Sequence, residues 1–259
     1  VKRHPVLLHA VWASGLLACG EVPLDAVRLP EEDVAEGLAD GLVAHFRLDD
    51  VEGTVALDSS AGERHGELSG GSWILDGRFA GALRLSSGDS VRVEGFPHAS
   101  PNFTVATWIR MTSEQLAMNS EQWVSILSME DFATGGWQLN IDNRLPRSRF
   151  DFAYWAPPLS GYLFVGCECV DVGRWVHLAA VVDTEANRVT LYEDGVVGDQ
   201  ETRPSDVPPG DSTLYFGRWN MDGRFLSGDL DDVAIWSRAL TASEIAALQA
   251  ESPTVGDAE

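Results

Sequence analysis

Carboxylates are the most abundant chemically capable groups in this sequence, and several stand in pairs or runs. Glu130 and Asp131 are adjacent in MEDF, Glu193 and Asp194 in YEDG, and Asp229, Asp231 and Asp232 crowd the stretch GDLDDVAIWSRALTASEI. Glycoside hydrolysis needs two carboxylates facing each other across the scissile bond. Adjacent pairs do not supply that, because on a strand neighbours point to opposite faces and on a turn both point to water. The spaced pattern E-x-D-x-x-E is absent, as are Ser–His, P-loop and H-E-x-x-H signatures. An enzyme would need carboxylates converging from distant positions, and the sequence favours a non-catalytic protein. Calcium is the better chemical lead. It takes six to eight hard oxygen ligands from turns dense in Asp, Ser and Gly, and DSSAGERHG, residues 58–66, is such a turn.

Aromatic side chains on loops are the other candidates, since sugar rings stack on exposed Trp and Tyr faces. AYWAPPLSGYLF offers Tyr154, Trp155 and Tyr162, and GRWNMDGRF offers Trp219; their placement beside Pro-rich loops points to a ligand cleft, and packing beneath a long loop is the alternative. Trp108, Trp175 and His177 sit in apolar runs and read as packing residues, with no second His or Cys at metal-ligand spacing from His177. Cys167 and Cys169 in GCECV bond to each other only if the chain turns there, because strand positions two apart are near the upper limit of disulfide geometry. Two cysteines alone do not make a zinc site.

Lys and Arg number 18 against 40 Asp and Glu, a net charge of −22. That charge repels nucleic acid and anionic headgroups over a Debye length, and leaves neutral ligands, cations or basic partners. The N-terminus VKRHPVLLHAVWASGLLACG has a basic start, an apolar stretch from Val6 to Leu17, and Leu16-Leu17-Ala18-Cys19 at its end, resembling a bacterial lipobox cut before the cysteine. Residues 1–18 are therefore expected to be a lipoprotein signal peptide, with Cys19 lipidated and membrane contact only through that anchor. Residues 19–40, acidic and containing two prolines, read as a tether. The implied location is a bacterial cell envelope, facing the periplasm or exterior.

From Gly41 the pattern changes to two-residue alternation. GLVAHFRL sets Leu42, Ala44, Phe46 and Leu48 on one face and Val43, His45 and Arg47 on the other. Similar runs predict strands at about 42–48, 73–76, 81–86, 90–95, 103–111, 123–129, 136–142, 148–155, 174–183, 187–193, 213–218 and 229–236. Thr241 and Glu244 form a capping box that opens one short helix ending near Ala250. Many short strands with one late helix favour an all-β sandwich of two antiparallel sheets. Residues 41–250 make one domain, and 251–259 a loose tail.

Five pieces then carry a resemblance: LVAHFRLDDVEGTVALDSSAGERHGEL, GRFAGALRLSSGDSVRV, FTVATWIRM, GRWVHLAAVVDTEANRVTLYEDGV and GDLDDVAIWSRALTASEI. In this order they resemble a bacterial laminin G-like domain of the concanavalin A-like lectin/glucanase superfamily over about 41–248. The resemblance implies a jelly roll and a partner that is a glycan or an extracellular protein. It also implies a structural calcium where the 58–66 turn meets the closing strand, with Asp58 and Asp231 giving carboxylates and carbonyls near Ser60 and His65 completing the shell. Ala61 and Glu63-Arg64 depart from the family's turn, and Arg64 adds a repelling charge. The alternative is that Asp58 caps its own turn and Asp231 accepts backbone N–H bonds. Regular alternation puts Asp231 on one face with Val233 and Ile235, and Asp232 on the other with Leu230, Ala234 and Trp236, so that Asp231 would fasten the last strand to the first loop.

Overall fold

The structure is a computed structural model that describes residues 37–97, 101–119, 123–131, 135–144, 148–155, 162–167, 170–202, 212–221, 223–250 and 252–253. Alternating apolar residues fold into two antiparallel sheets stacked face to face. The first runs β14 (Val196–Thr202), β13 (Arg188–Glu193), β12 (Trp175–Asp183), β7 (Phe103–Arg110), β16 (Gly228–Trp236), β5 (Ala82–Leu85) and β4 (Ser72–Ile74), with β1 (Leu42–Phe46) also paired to β16. The second runs β11 (Tyr162–Cys167), β10 (Arg149–Trp155), β9 (Gly135–Asp142), β8 (Trp123–Asp131), β15 (Leu214–Phe216), β6 (Ser90–Val93), β3 (Gly66–Ser69) and β2 (Val55–Ala56).

The main core lies between the sheets. From β12 it takes Val176, Leu178, Ala180 and Val182; from the second sheet it takes Leu139, Ile141, Phe150, Phe152 and Phe216, all buried. Phe46 meets Phe216 edge-on at 5.0 Å between ring centroids, and Phe103 packs on Trp137 at 6.0 Å, separations in the favourable range for aromatic pairs. A second apolar cluster covers the outer face of the first sheet. There Ala179 and Val181 of β12 and Ala234 and Trp236 of β16 meet Leu240, Ile245 and Leu248. The helix α2 (Ala242–Ala247) supplies Ile245, and its Thr241–Glu244 capping box forms as the sequence predicts. A second helix, α1 (Ser113–Met118), opens with a Thr112–Gln115 box that the strand reading passed over.

β16 departs from regular alternation. Its register with β7 slips between Asp231 and Ala234, where Asp232 takes a positive φ of 52°. The extra residue is a β-bulge, at the point where β16 changes neighbours from β5 to β1. It turns Val233 and Ile235 into the main core while Ala234 and Trp236 enter the outer cluster. Asp231 consequently does not share a face with Val233 and Ile235, contrary to the alternation expected.

Candidate functional site on the outer face of the second sheet

Strands β8, β9 and β10 alternate between the core and the opposite face. Val124, Leu127, Met129, Trp137, Leu139, Ile141, Phe150, Phe152 and Tyr154 point inward. The residues between them are polar or small, and they meet in rungs across the sheet. Trp123, Asp142 and Arg149 form one rung, Ser125, Asn140, Asp151 and Gly166 the next, and Ser128, Gln138, Ala153 and Phe164 a third. A bulge between Ser125 and Leu127 keeps both Ile126 and Leu127 inside and Ser125 and Ser128 outside.

The polar side chains of this floor are buried and cross-linked. Ser125 Oγ lies 2.9 Å from Gln138 Oε1 and 3.1 Å from Asn140 Oδ1, and Gln138 Nε2 donates to Glu130 Oε2. Asp142 accepts from Arg144 Nε at 2.9 Å, Arg144 Nη2 at 2.8 Å and the Arg144 backbone N–H at 3.0 Å. Burial pushes the Asp142 carboxyl up, but these bonds and the charges of Arg144 and Arg149 win and hold it below the usual carboxylate range. Asp151 has the opposite fate. It is fully buried, and neither oxygen has a hydrogen-bond partner among the described residues. Burial first, then the neighbouring Asp142 charge, push its carboxyl up to about 7; Arg149, 4.0 Å away, and Asn140 only temper this.

Aromatic rings and arginines stand over the floor. Trp123 and Phe164 are nearly parallel, 6.0 Å apart with 6° between planes, although two strands separate them; the small Ala153 and Asn140 between leave them room. Arg144 lies 3.9 Å above Trp123 and 5.1 Å from Phe164. Arg224 lies 3.9 Å from Trp219 and 5.1 Å from Trp123, separations typical of cation–π contact. The Arg224 carbonyl accepts from Ser125 N–H at 2.9 Å, which ties its loop to β8, and its φ of 55° is uncommon for a residue with a side chain. A shallow, half-open cleft is lined by Trp123, Gln138, Asn140, Ala153, Phe164 and Arg224.

Of the aromatic residues singled out in the sequence, Trp219 is half-buried beside this cleft through Arg224. Tyr154 is not a ligand platform: it is fully buried in the main core, because it falls on the inward phase of β10. Trp155 and Tyr162 pair across β10 and β11 through their backbones, and their side chains lie outside the described residues. So do Cys19, Cys169 and the Cys167 side chain, and with them the lipidation and disulfide expectations. The sequence reading missed Ser125, Gln138, Asn140, Asp142 and Asp151. For all but Ser125 the signal was present in WQLNID and RFDFA, where a polar or small residue follows each large apolar one.

The residues expected to hold calcium separate into two clusters. Asp58 Oδ1 accepts from His45 N–H and Ser60 N–H, both at 2.9 Å, and Oδ2 from Arg64 N–H at 3.0 Å. His65 Nδ1 accepts from Asp58 N–H, and Ser60 Oγ donates to the Val43 carbonyl. Asp231 Oδ2 instead accepts from Arg78 and Phe79 N–H at 2.6 and 3.3 Å, in another loop, while its Oδ1 has no partner among the described residues. Asp58's oxygens are thus turned to backbone donors, and no three His, Cys, Asp or Glu side chains converge as a metal group among the described residues. Among the described residues, no hydrogen bond given by these side chains joins Asp58 to Asp231: the first bonds His45, Ser60 and Arg64, the second the Arg78–Phe79 loop. The fastening of last strand to first loop falls to Asp232, one residue on: its Oδ1 lies 2.7 Å from His45 Nε2 and 2.5 Å from Ser252 Oγ, and His45 Nδ1 lies 3.1 Å from Ser59 Oγ.

His177, read as a packing residue, is buried against Trp108 with ring centroids 5.1 Å apart. Burial pushes its imidazole down to about 4, so it is neutral near pH 7. Trp108 stands on the outer face of the first sheet, where Arg78 covers it at 4.5 Å, and not between the sheets.

Two antiparallel sheets around one core, with a short helix on one outer face and a polar, aromatic-edged cleft on the other, define a lectin-like sandwich. The chain belongs to the concanavalin A-like lectin/glucanases superfamily: a laminin G-like family of that description matches residues 85–246. No curated protein matches the chain. Among solved structures it is similar to domain 4 of AbnA, a GH43 extracellular arabinanase from Geobacillus stearothermophilus, in complex with arabinotriose. Identity there is 19%, over 80% of this chain and 98% of that one, with a TM-score of 0.61. It is also similar to the ligand binding domain of botulinum neurotoxin serotype D in complex with N-acetylneuraminic acid, at 18% identity over 83% of this chain and 52% of that one, TM-score 0.64. The binding domain of Paraclostridial Mosquitocidal Protein 1 is a third, at 19% identity over 82% and 52%, TM-score 0.62. The chain spans about half the length of the two toxin domains.

Proposed function

We propose that this protein is a non-catalytic carbohydrate-binding domain whose ligand lies on the outer face of β8–β11. One observation carries the reading: the polar side chains of Gln138 and Asn140, backed by the buried Ser125 and Asp151, line a cleft edged by Trp123 and Phe164. Apolar ring faces with a few fixed polar groups are what a sugar needs. The arabinotriose and N-acetylneuraminic acid bound by two structural neighbours support it. Asp142 supports the non-catalytic part, for a carboxylate held by Arg144 through three hydrogen bonds is not placed to attack or to activate water. In the same reading the domain is carried on a lipidated Cys19 at the cell envelope, behind an acidic tether that ends before Leu38, which docks on the first sheet.

The test is a glycan array probed with the protein, with and without calcium, beside Phe164→Ala, which removes a half-buried ring face from the cleft edge. Binding that is indifferent to calcium and absent in the variant is expected. No signal from the wild type on any glycan would sink the reading and favour a protein-adhesion domain on the same fold.

A further inference from the structure

On the face proposed to hold a glycan, one group is left chemically unfinished. Both oxygens of Asp151 are buried without a hydrogen-bond donor among the described residues, while Asp142 is engaged by Arg144 and Glu130 by Gln138. Asp151 pairs across the sheet with Asn140, which lines the cleft, and stands two residues before Ala153, which also lines it. Its other neighbour is Gly166, where a Cβ would come 3.1 Å from the Asp151 Cβ. Glycine there keeps open the space beside the carboxylate.

We propose that Asp151 is the specificity-determining group of this site, its two oxygens accepting hydrogen bonds from two adjacent hydroxyls of a neutral sugar ring. The proposal rests on the glycan reading above and narrows it to neutral glycans with a free vicinal diol. A carboxylate presents two acceptors side by side, and adjacent ring hydroxyls present two donors along one edge; such charge-assisted bonds are the strong ones. A uronic acid or phosphorylated sugar would bring a second negative charge toward the same floor, in a chain whose net charge is −22. Asp151 has no solvent exposure, so a sugar reaches it only by displacing the side chains that cover it.

Binding is then linked to a proton. Facing Asp151 are Asn140 and Asp142 on β9, Arg144 just beyond it, Arg149 on its own strand, and, behind Gly166, Asp199 of β14, whose Oδ2 accepts the Gly166 N–H. Burial and Asp142 keep the carboxyl protonated to about pH 7, and the diol takes the ionised form. Affinity therefore rises with pH from 6 to 8.

The test screens the full chain on immobilised neutral oligosaccharides, arabinotriose among them, and on their uronic acid counterparts. The strongest neutral binder is then titrated by calorimetry at pH 6, 7 and 8 against wild type and Asp151→Asn. The wild type should prefer the neutral sugar and bind it more tightly at pH 8. Asp151→Asn should fold, melt no lower than wild type at pH 8, lose roughly ten-fold or more in affinity there, and show no pH dependence. Methylating one of the two adjacent hydroxyls should weaken the wild type and barely affect the variant. Wild-type affinity retained in Asp151→Asn, or a preference for acidic sugars, overturns this proposal alone; a wild type that binds no sugar overturns the glycan reading and this proposal together.

Discussion

Four buried aspartates on the two outer faces are held in opposite protonation states by their neighbours. Asp229 meets Arg84 at 2.7 and 2.9 Å and Arg110 at 2.9 and 3.1 Å, and although burial pushes its carboxyl up, these bonds hold it, like Asp142, below the usual range. Asp151 has only Arg149 at 4.0 Å and Asp231 is held by backbone N–H groups alone, and burial raises both to about 7; for Asp231 the Arg78 N–H opposes the rise and the Asp232 charge adds to it. The signs of the linked stability differ. For Asp142 and Asp229, whose folded values are depressed, the contribution is present above the unfolded value of about 4 and is lost as pH falls through the folded value. For Asp151 and Asp231, whose folded values are raised, it is present below about 4 and is lost as pH rises toward about 7. The melting temperature should therefore peak near pH 4, fall by several degrees between pH 4 and 7, and level off above that. Asp231→Asn, which keeps an acceptor for the Arg78 and Phe79 N–H groups, should flatten part of that fall and melt higher than wild type at pH 8. A melting profile level across this range in the wild type would contradict the buried, unpaired state assigned to both residues.

At the scale of elements, the bulge in β16 decides what each aspartate does, and it marks the limit of what sequence pattern reveals. Strands such as β12 were legible because both alternating sets are apolar, and α2 because its capping box is explicit. One extra residue in an apolar run leaves no trace in composition, yet it moves every later side chain to the other face. The edge strand β14 escaped for a different reason: six of its seven residues are exposed, so no buried set alternates. The cleft was hidden in plain alternation, since a polar outward face reads as ordinary solvated sheet until burial shows that Gln138, Asn140 and Asp151 are covered. The bulge itself is testable. Asp232 joins His45 and Ser252 from a left-handed backbone, which Asn tolerates and β-branched residues do not. Asp232→Asn should be the milder change and Asp232→Val should cost about 3 kcal/mol, measured by urea unfolding, because it adds strain to the lost buried partner. Equal costs would mean that the positive φ is not what the position demands.

Over the whole molecule, the proposed function has the sandwich separate stability from recognition by giving each to a different outer face. The first sheet buries its outer face under α2 and the chain around Leu38, where Trp236 Nε1 donates to the Leu38 carbonyl at 2.7 Å and Ile245 is fully buried. The second sheet leaves the described outer face of β8–β11 to polar side chains and a cleft edged by Trp123 and Phe164. A substitution beneath α2 should therefore move stability and spare binding, and one in the cleft should do the reverse. Ile245→Ala removes three carbons' worth of packing from a closed cluster and should cost about 3 kcal/mol, while the fraction that remains folded binds glycan with wild-type affinity. Phe164→Ala removes a ring that is only half-buried at the cleft edge, so its melting temperature should stay within a few degrees of wild type while glycan binding disappears. The two variants cross-check each other, because general unfolding would depress both readouts in both proteins. If Ile245→Ala weakened sugar affinity in the folded fraction, the two faces would be coupled through the core, and the cleft could not be treated as a site carried passively on a stable frame.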